Sequence, residues 1–244
     1  MIAVSAVYVC AHFSFLFLGC FMLSDACRIP DEWLSTPDSS VFGLVFISEK
    51  IMIYKHSQGV KSYIPELLSL TLSIVLMQAQ HTFECLKSTP RLGWLDGFML
   101  LNAVACVAGF NLLLSNDHRD RYTPTYSQWP LHVVGVILFI CGFAVVHTVI
   151  ALAYKKHAVI THHATAYAWY RRTGYVVGDG VYLSVTLLFL VSVFFQQILH
   201  AIVLEYVLLL LFFVLNSFSL ILWRRLRCRL AYDANLDLPP HTSL

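Results

Sequence analysis

The sequence predicts an all-α, polytopic membrane protein: one membrane domain of six transmembrane helices, with the N and C termini in the cytosol. Three observations carry this. Of the 244 residues, 58% are hydrophobic and 12% are charged, where a soluble domain carries about 25% charged residues. The mean hydropathy is +0.70, and a water-soluble fold of this size has too little interior to hide so much apolar surface. The apolar residues also fall into runs of the length that a crossing helix needs, roughly 20 residues. Finally, Lys and Arg gather at alternate ends of those runs, as the cytosolic faces of membrane proteins do.

The first run, residues 2–24, lacks a basic leader and a small-residue cleavage site, so it reads as a retained span rather than a signal peptide. A polar stretch, 25–63, follows. Within it VFGLVFIS, residues 41–48, is apolar but ends at Glu49 and Lys50. Carrying those two charges through the membrane centre costs about 2.5–3.5 kcal/mol each, so 41–54 is expected to be interfacial or re-entrant rather than spanning. The second span is 64–86. Pro65 sits in its first turn, where a missing N–H costs nothing, and Glu66 sits where the helix dipole favours an acid. The third span is 95–115 and the fourth 130–154. Between the fourth and fifth, KKHAVITHHATAYAWYRR reads as a basic, aromatic loop. The apolar block 174–223 would make about 75 Å of helix, more than twice the hydrocarbon thickness. It must fold back, and Gln196, Gln197 and His200 are its polar punctuation. That gives spans 174–196 and 200–223 and leaves a tail, 224–244.

Six spans return the chain to its starting side. Lys87, Arg91, Lys155, Lys156, Arg171, Arg172, Arg224, Arg225, Arg227 and Arg229 gather on that side, close to span ends. This makes it cytosolic and turns the stretch 25–63 to the lumen or exterior. Trp94, Trp129, Trp169 and Trp223 fall at span ends, where aromatic belts sit. The net charge of +2 and the lack of a basic patch interleaved with stacking aromatics argue against a nucleic-acid partner. The seven cysteines lie mostly inside apolar runs and show no paired metal spacing. His157, His162 and His163 have no neighbouring acid or thiol to complete a ligand set. No metal or other cofactor is expected.

Ionisable residues inside spans are expensive and so carry the functional signal. Counting from span ends puts His147, Asp179 and His81 in one layer toward the cytosolic side. An imidazole and a carboxylate there could relay a proton or act as acid and base, so His147 and Asp179 are the catalytic candidates. A second layer, Glu66, Asn111, His200 and Glu205, lies toward the opposite face, beneath the stretch 25–63. These four are candidates for holding a lipid headgroup.

Several of these features recur in one order. Cys27, Pro30, Pro37 and Ser39–Ser40 follow the first span, and Pro65–Glu66 opens the second. LHVVGVILFICGF starts the fourth, KKHAV ends it, AYAWYRR leads into the fifth, and Glu205–Tyr206 comes early in the last. Over residues 3–223 the chain resembles a six-span family with three branches. These are the damage-regulated autophagy modulators, the Golgi factors for fatty-acid remodelling of GPI anchors, and the transmembrane-150 type regulators of phosphoinositide synthesis. The resemblance implies a multi-pass protein of the Golgi and ER membranes, with the lysosome or plasma membrane as the alternative. It implies work in GPI-anchor lipid remodelling and transport, with membrane lipids, GPI-anchored proteins or phosphoinositides as partners. The alternatives are an autophagy or phosphoinositide modulator and a membrane-embedded acyltransferase or hydrolase. Cys27, Pro30, Pro37, Pro65, Glu66, Glu205 and Tyr206 are the positions the resemblance singles out, with 25–63 as the recognition surface.

Overall fold

The computed structural model describes residues 2–24, 47, 60–86, 93–115, 129–160, 166–195 and 197–236. Among these residues every regular element is helical. The elements are α1 (Ile2–Ser24), a short 3₁₀ turn (Val60–Tyr63) running into α2 (Ile64–Leu86), α3 (Gly93–Ser115), α4 (Trp129–Ile160), α5 (Ala166–Phe194) and α6 (Ile198–Leu236). Within them Ala3–Phe21, Trp94–Leu114, Leu131–Lys155, Thr173–Phe194 and Leu199–Leu226 are long and apolar enough to cross a membrane. The chain is therefore a helical, multi-pass membrane protein, with five such helices among the described residues. α2 has the same 23 residues as α1 and α3 but is the more polar helix. The interfacial reading of 41–54 lies outside the described residues except at Ile47, which is helical and buried.

Two sequence expectations need correction. The stretch from Lys155 to Arg172 is not one loop. α4 continues through KKHAVI to Ile160, and α5 begins at Ala166 with AYAWYRR. The helix of the last span does not end with the apolar run at residue 223, because α6 runs on into the tail to Leu236. Charged side chains end an apolar run without ending a helix, since the backbone pairs internally whether its side chains face hydrocarbon or water. The fold-back falls at 195–197, where the Gln197 N–H donates to the Ser192 carbonyl at 2.8 Å, and His200 lies inside the first turn of α6.

α2 is the central helix, packed on α1, α3, α4 and α6, while α5 lies against α4 and α6. The closest pairing is α3 with α4, and glycine makes it possible. A Cβ at Gly109 would stand 2.7 Å from the Gly135 carbonyl, and one at Gly142 2.9 Å from the Asn102 carbonyl. Without those side chains the two backbones meet, which is how membrane helices gain attraction when lipid offers no hydrophobic drive. The aromatic rings of Phe143 and Phe212 join α4 to α6, with centroids 4.1 Å apart.

Candidate functional site

At the α6 end where the fold-back occurs, Glu205 is half-buried and its Oε2 accepts the backbone N–H of Ile47 at 2.7 Å. Ile47 is 9% exposed and belongs to the core. The contact links residues 158 positions apart in the chain. A carboxylate accepting a backbone N–H makes a charge-assisted bond, stronger than a neutral one. On the neighbouring helices the Ser69 hydroxyl donates to Asn111 Oδ1 at 2.9 Å, and Asn111 Nδ2 donates to the Val107 carbonyl at 3.0 Å. The four expected residues differ in their surroundings. Glu205 is engaged with Ile47 and Asn111 with Ser69, while Glu66 and His200 are exposed. Pro65 is buried and Tyr206 is half-buried against the core. Cys27, Pro30 and Pro37 lie outside the described residues.

The catalytic candidates sit deeper. His147 is fully buried and Asp179 is 4% exposed. They do not bond to each other. His147 Nδ1 is 2.7 Å from the Tyr175 hydroxyl, while Asp179 Oδ1 accepts from the Thr148 hydroxyl at a long 3.4 Å. Tyr175 and Asp179 stand one helical turn apart on α5, facing the adjacent pair His147 and Thr148 on α4. The other imidazole nitrogen, His147 Nε2, has no hydrogen bond. Asn216 of α6 lies beside it, close but not bonded, and Asn216 Oδ1 is likewise without a partner. His81 has a partner on α1 instead. Its Nδ1 is 2.6 Å from the Tyr8 hydroxyl, and the Tyr8 ring packs edge-on against Trp223 with centroids 5.0 Å apart. The imidazole of His147 and the carboxylate of Asp179 thus join α4 to α5 through separate partners.

Three polar groups in this interior are absent from the sequence expectations: His12 of α1, Asn216 of α6 and Tyr175 of α5. The first two were open to the same rule that picks out His147, since each is a polar side chain in an apolar run. A further polar contact locks α2 to α6. Gln78, fully buried, donates Nε2 to the Ser219 carbonyl at 3.3 Å, and the Ser219 hydroxyl donates to Gln78 Oε1 at 3.5 Å. Among the described residues no group of three or more His, Cys, Asp or Glu side chains is placed to share a metal ion.

Comparison with known proteins returns no matching family model, no similar curated protein and no similar solved structure.

Proposed function

We propose that this chain is a six-span membrane factor of the Golgi and ER that acts in GPI-anchor lipid remodelling and in the transport of GPI-anchored proteins. Both termini lie in the cytosol, and the stretch 25–63 lies on the luminal face. The observation that carries the reading is the bond from the Ile47 N–H to the Glu205 carboxylate. It ties the stretch expected to recognise lipid to an acid that the resemblance singles out. A carboxylate at that end of α6, in contact with this stretch at Ile47, is suited to a role in headgroup recognition. The role is non-catalytic in this reading.

The experiment is deletion of the gene, followed by analysis of GPI-anchor acyl chains and of the surface level and detergent partitioning of GPI-anchored proteins. Loss of remodelled anchors, restored by the intact chain and not by Glu205→Ala, is the expected result. Normal anchors in the deleted cells overturn the reading. A change in lysosomal turnover or phosphoinositide level in those cells would instead place the chain with one of the other branches. Turnover of labelled lyso-lipid by purified protein, lost in His147→Ala and Asp179→Ala, would make it an enzyme.

A further inference from the structure

Asp179 is a carboxyl inside the bundle with little to hold it. It lies six residues into the apolar stretch Thr173–Phe194, about 9 Å from the nearer end, and is 4% exposed. Its hydrogen bonding is limited to the Thr148 hydroxyl at 3.4 Å, where a well-made O–H···O bond is about 2.7–2.8 Å. A buried carboxylate is normally held by a cation or by several donors.

Among the described residues no such group faces it. α4 presents Thr148 and His147, and the His147 ring is turned to Tyr175 on one side and to Asn216 of α6 on the other. α6 meets this turn of α5 with Leu215, whose side chain is 3.4 Å from a Cβ placed at Gly178. On α5 itself the neighbours are Tyr175 and Tyr182. None of these carries a fixed positive charge. Lys155 of α4 lies at the end of the apolar stretch Leu131–Lys155 and is exposed.

The backbone around Asp179 is also pliable. The sequence there is Gly178–Asp179–Gly180, and glycine weakens a helix interior. Gly180 has nothing within 4 Å of a Cβ. It does not serve the approach of another helix, as Gly109 and Gly142 do between α3 and α4. The acid therefore sits where α5 gives most readily.

We propose that Asp179 is a proton-operated latch between α4 and α5. With a proton on the carboxyl, this turn of α5 stays docked against Thr148. Without it the carboxylate is left in apolar surroundings with no counter-charge, and this end of α5 loosens from α4. One proton moves between solvent and Asp179, and only its O–H bond is made or broken. The ionised form is docked at a cost that the neutral form avoids, so docking strengthens as pH falls and weakens as it rises. The latch does not rest on the function proposed above.

The test uses the full chain in lipid nanodiscs between about pH 7.5 and pH 5. Infrared difference spectra should show a carboxylic-acid C=O band that grows on acidification. The band should be missing in Asp179→Asn, which keeps the shape of the side chain and the acceptor for Thr148. Hydrogen-exchange mass spectrometry, corrected for the intrinsic effect of pH, should find Thr173–Tyr182 at least about fivefold better protected at the acid end, a change in docking that raises the unfolding midpoint by about 2–4 °C. In Asp179→Asn the protection should be high at both ends. Glu84→Gln, which removes an exposed carboxyl of α2, should leave the response intact. Equal protection at both ends in the intact chain, a response that survives Asp179→Asn, or no acid band would each overturn the proposal. The protection is read on the intact chain, so the proposal can fail even where the asparagine variant does not fold.

Discussion

Tyr175 and Glu205 show how much a single partner decides inside this bundle. The Tyr175 hydroxyl holds His147 Nδ1 in a fully buried place, and removing one member of a buried bond leaves the other to bear its desolvation alone, about 1–3 kcal/mol. Tyr175→Phe should therefore lower stability in detergent by that amount, read as a fall in the unfolding midpoint. Tyr8→Phe, whose partner His81 is half-buried, should cost less. Glu205→Ala removes the acceptor of the Ile47 N–H. With a charge-assisted bond worth about 1.5–3 kcal/mol, the Ile47 amide should exchange with deuterium about tenfold faster or more, as measured by hydrogen-exchange mass spectrometry. His147 and Asp179 were legible in the sequence because an ionisable residue in an apolar run stands out. Their partners were not, because a tyrosine or threonine in such a run is ordinary. Which side chain it meets depends on how each helix is rotated about its axis, and hydropathy does not report that rotation.

Helix existence was legible for the same reason that helix ends were not. The apolar runs marked the six long helices among the described residues, and the break between Phe194 and Ile198 falls at the glutamine punctuation. The runs could not show that α4 and α5 project beyond the apolar zone. α4, with 32 residues, is about 48 Å long, against about 30 Å of hydrocarbon. Nor could composition show that α3 and α4 meet backbone to backbone. That contact yields a paired prediction. Gly135→Val puts side-chain atoms where the Leu113 N–H and the Gly109 carbonyl already stand, 2.7 and 2.8 Å from a Cβ. Overpacking of this kind typically costs about 1–3 kcal/mol. Gly97 has nothing within 4 Å of a Cβ, so Gly97→Ala should be neutral or stabilise α3 by about 0.5–1 kcal/mol through helix propensity. The two variants should shift the unfolding midpoint in detergent in opposite senses, or only the first should shift it.

On the scale of the whole molecule, α2 decides the topology. Five crossings would leave the termini on opposite faces; a sixth returns them to one. Composition averages over the whole helix and so misses how α2 is sided. Gln78 and Thr82 are fully buried, with Gln78 bonded to Ser219 of α6, while Leu67, Leu70 and Met77 are exposed. Glu66 and Glu84 stand near its two ends, both exposed. Polar groups turned inward to a partner and apolar ones turned outward are the arrangement that hydrocarbon requires. At 23 residues the helix is about 34 Å long, enough for the crossing. If α2 crosses, the segments on its two sides face different compartments. N-glycosylation acceptor sites introduced one at a time should then be modified within 25–59 and remain unmodified within 87–92 and 161–165, with tags at both termini reached only after the inner face is exposed. Matching modification within 25–59 and 87–92 would mean that α2 stays on one side. The chain would then have five crossings, and Glu205 would be deprived of the luminal roof proposed for it.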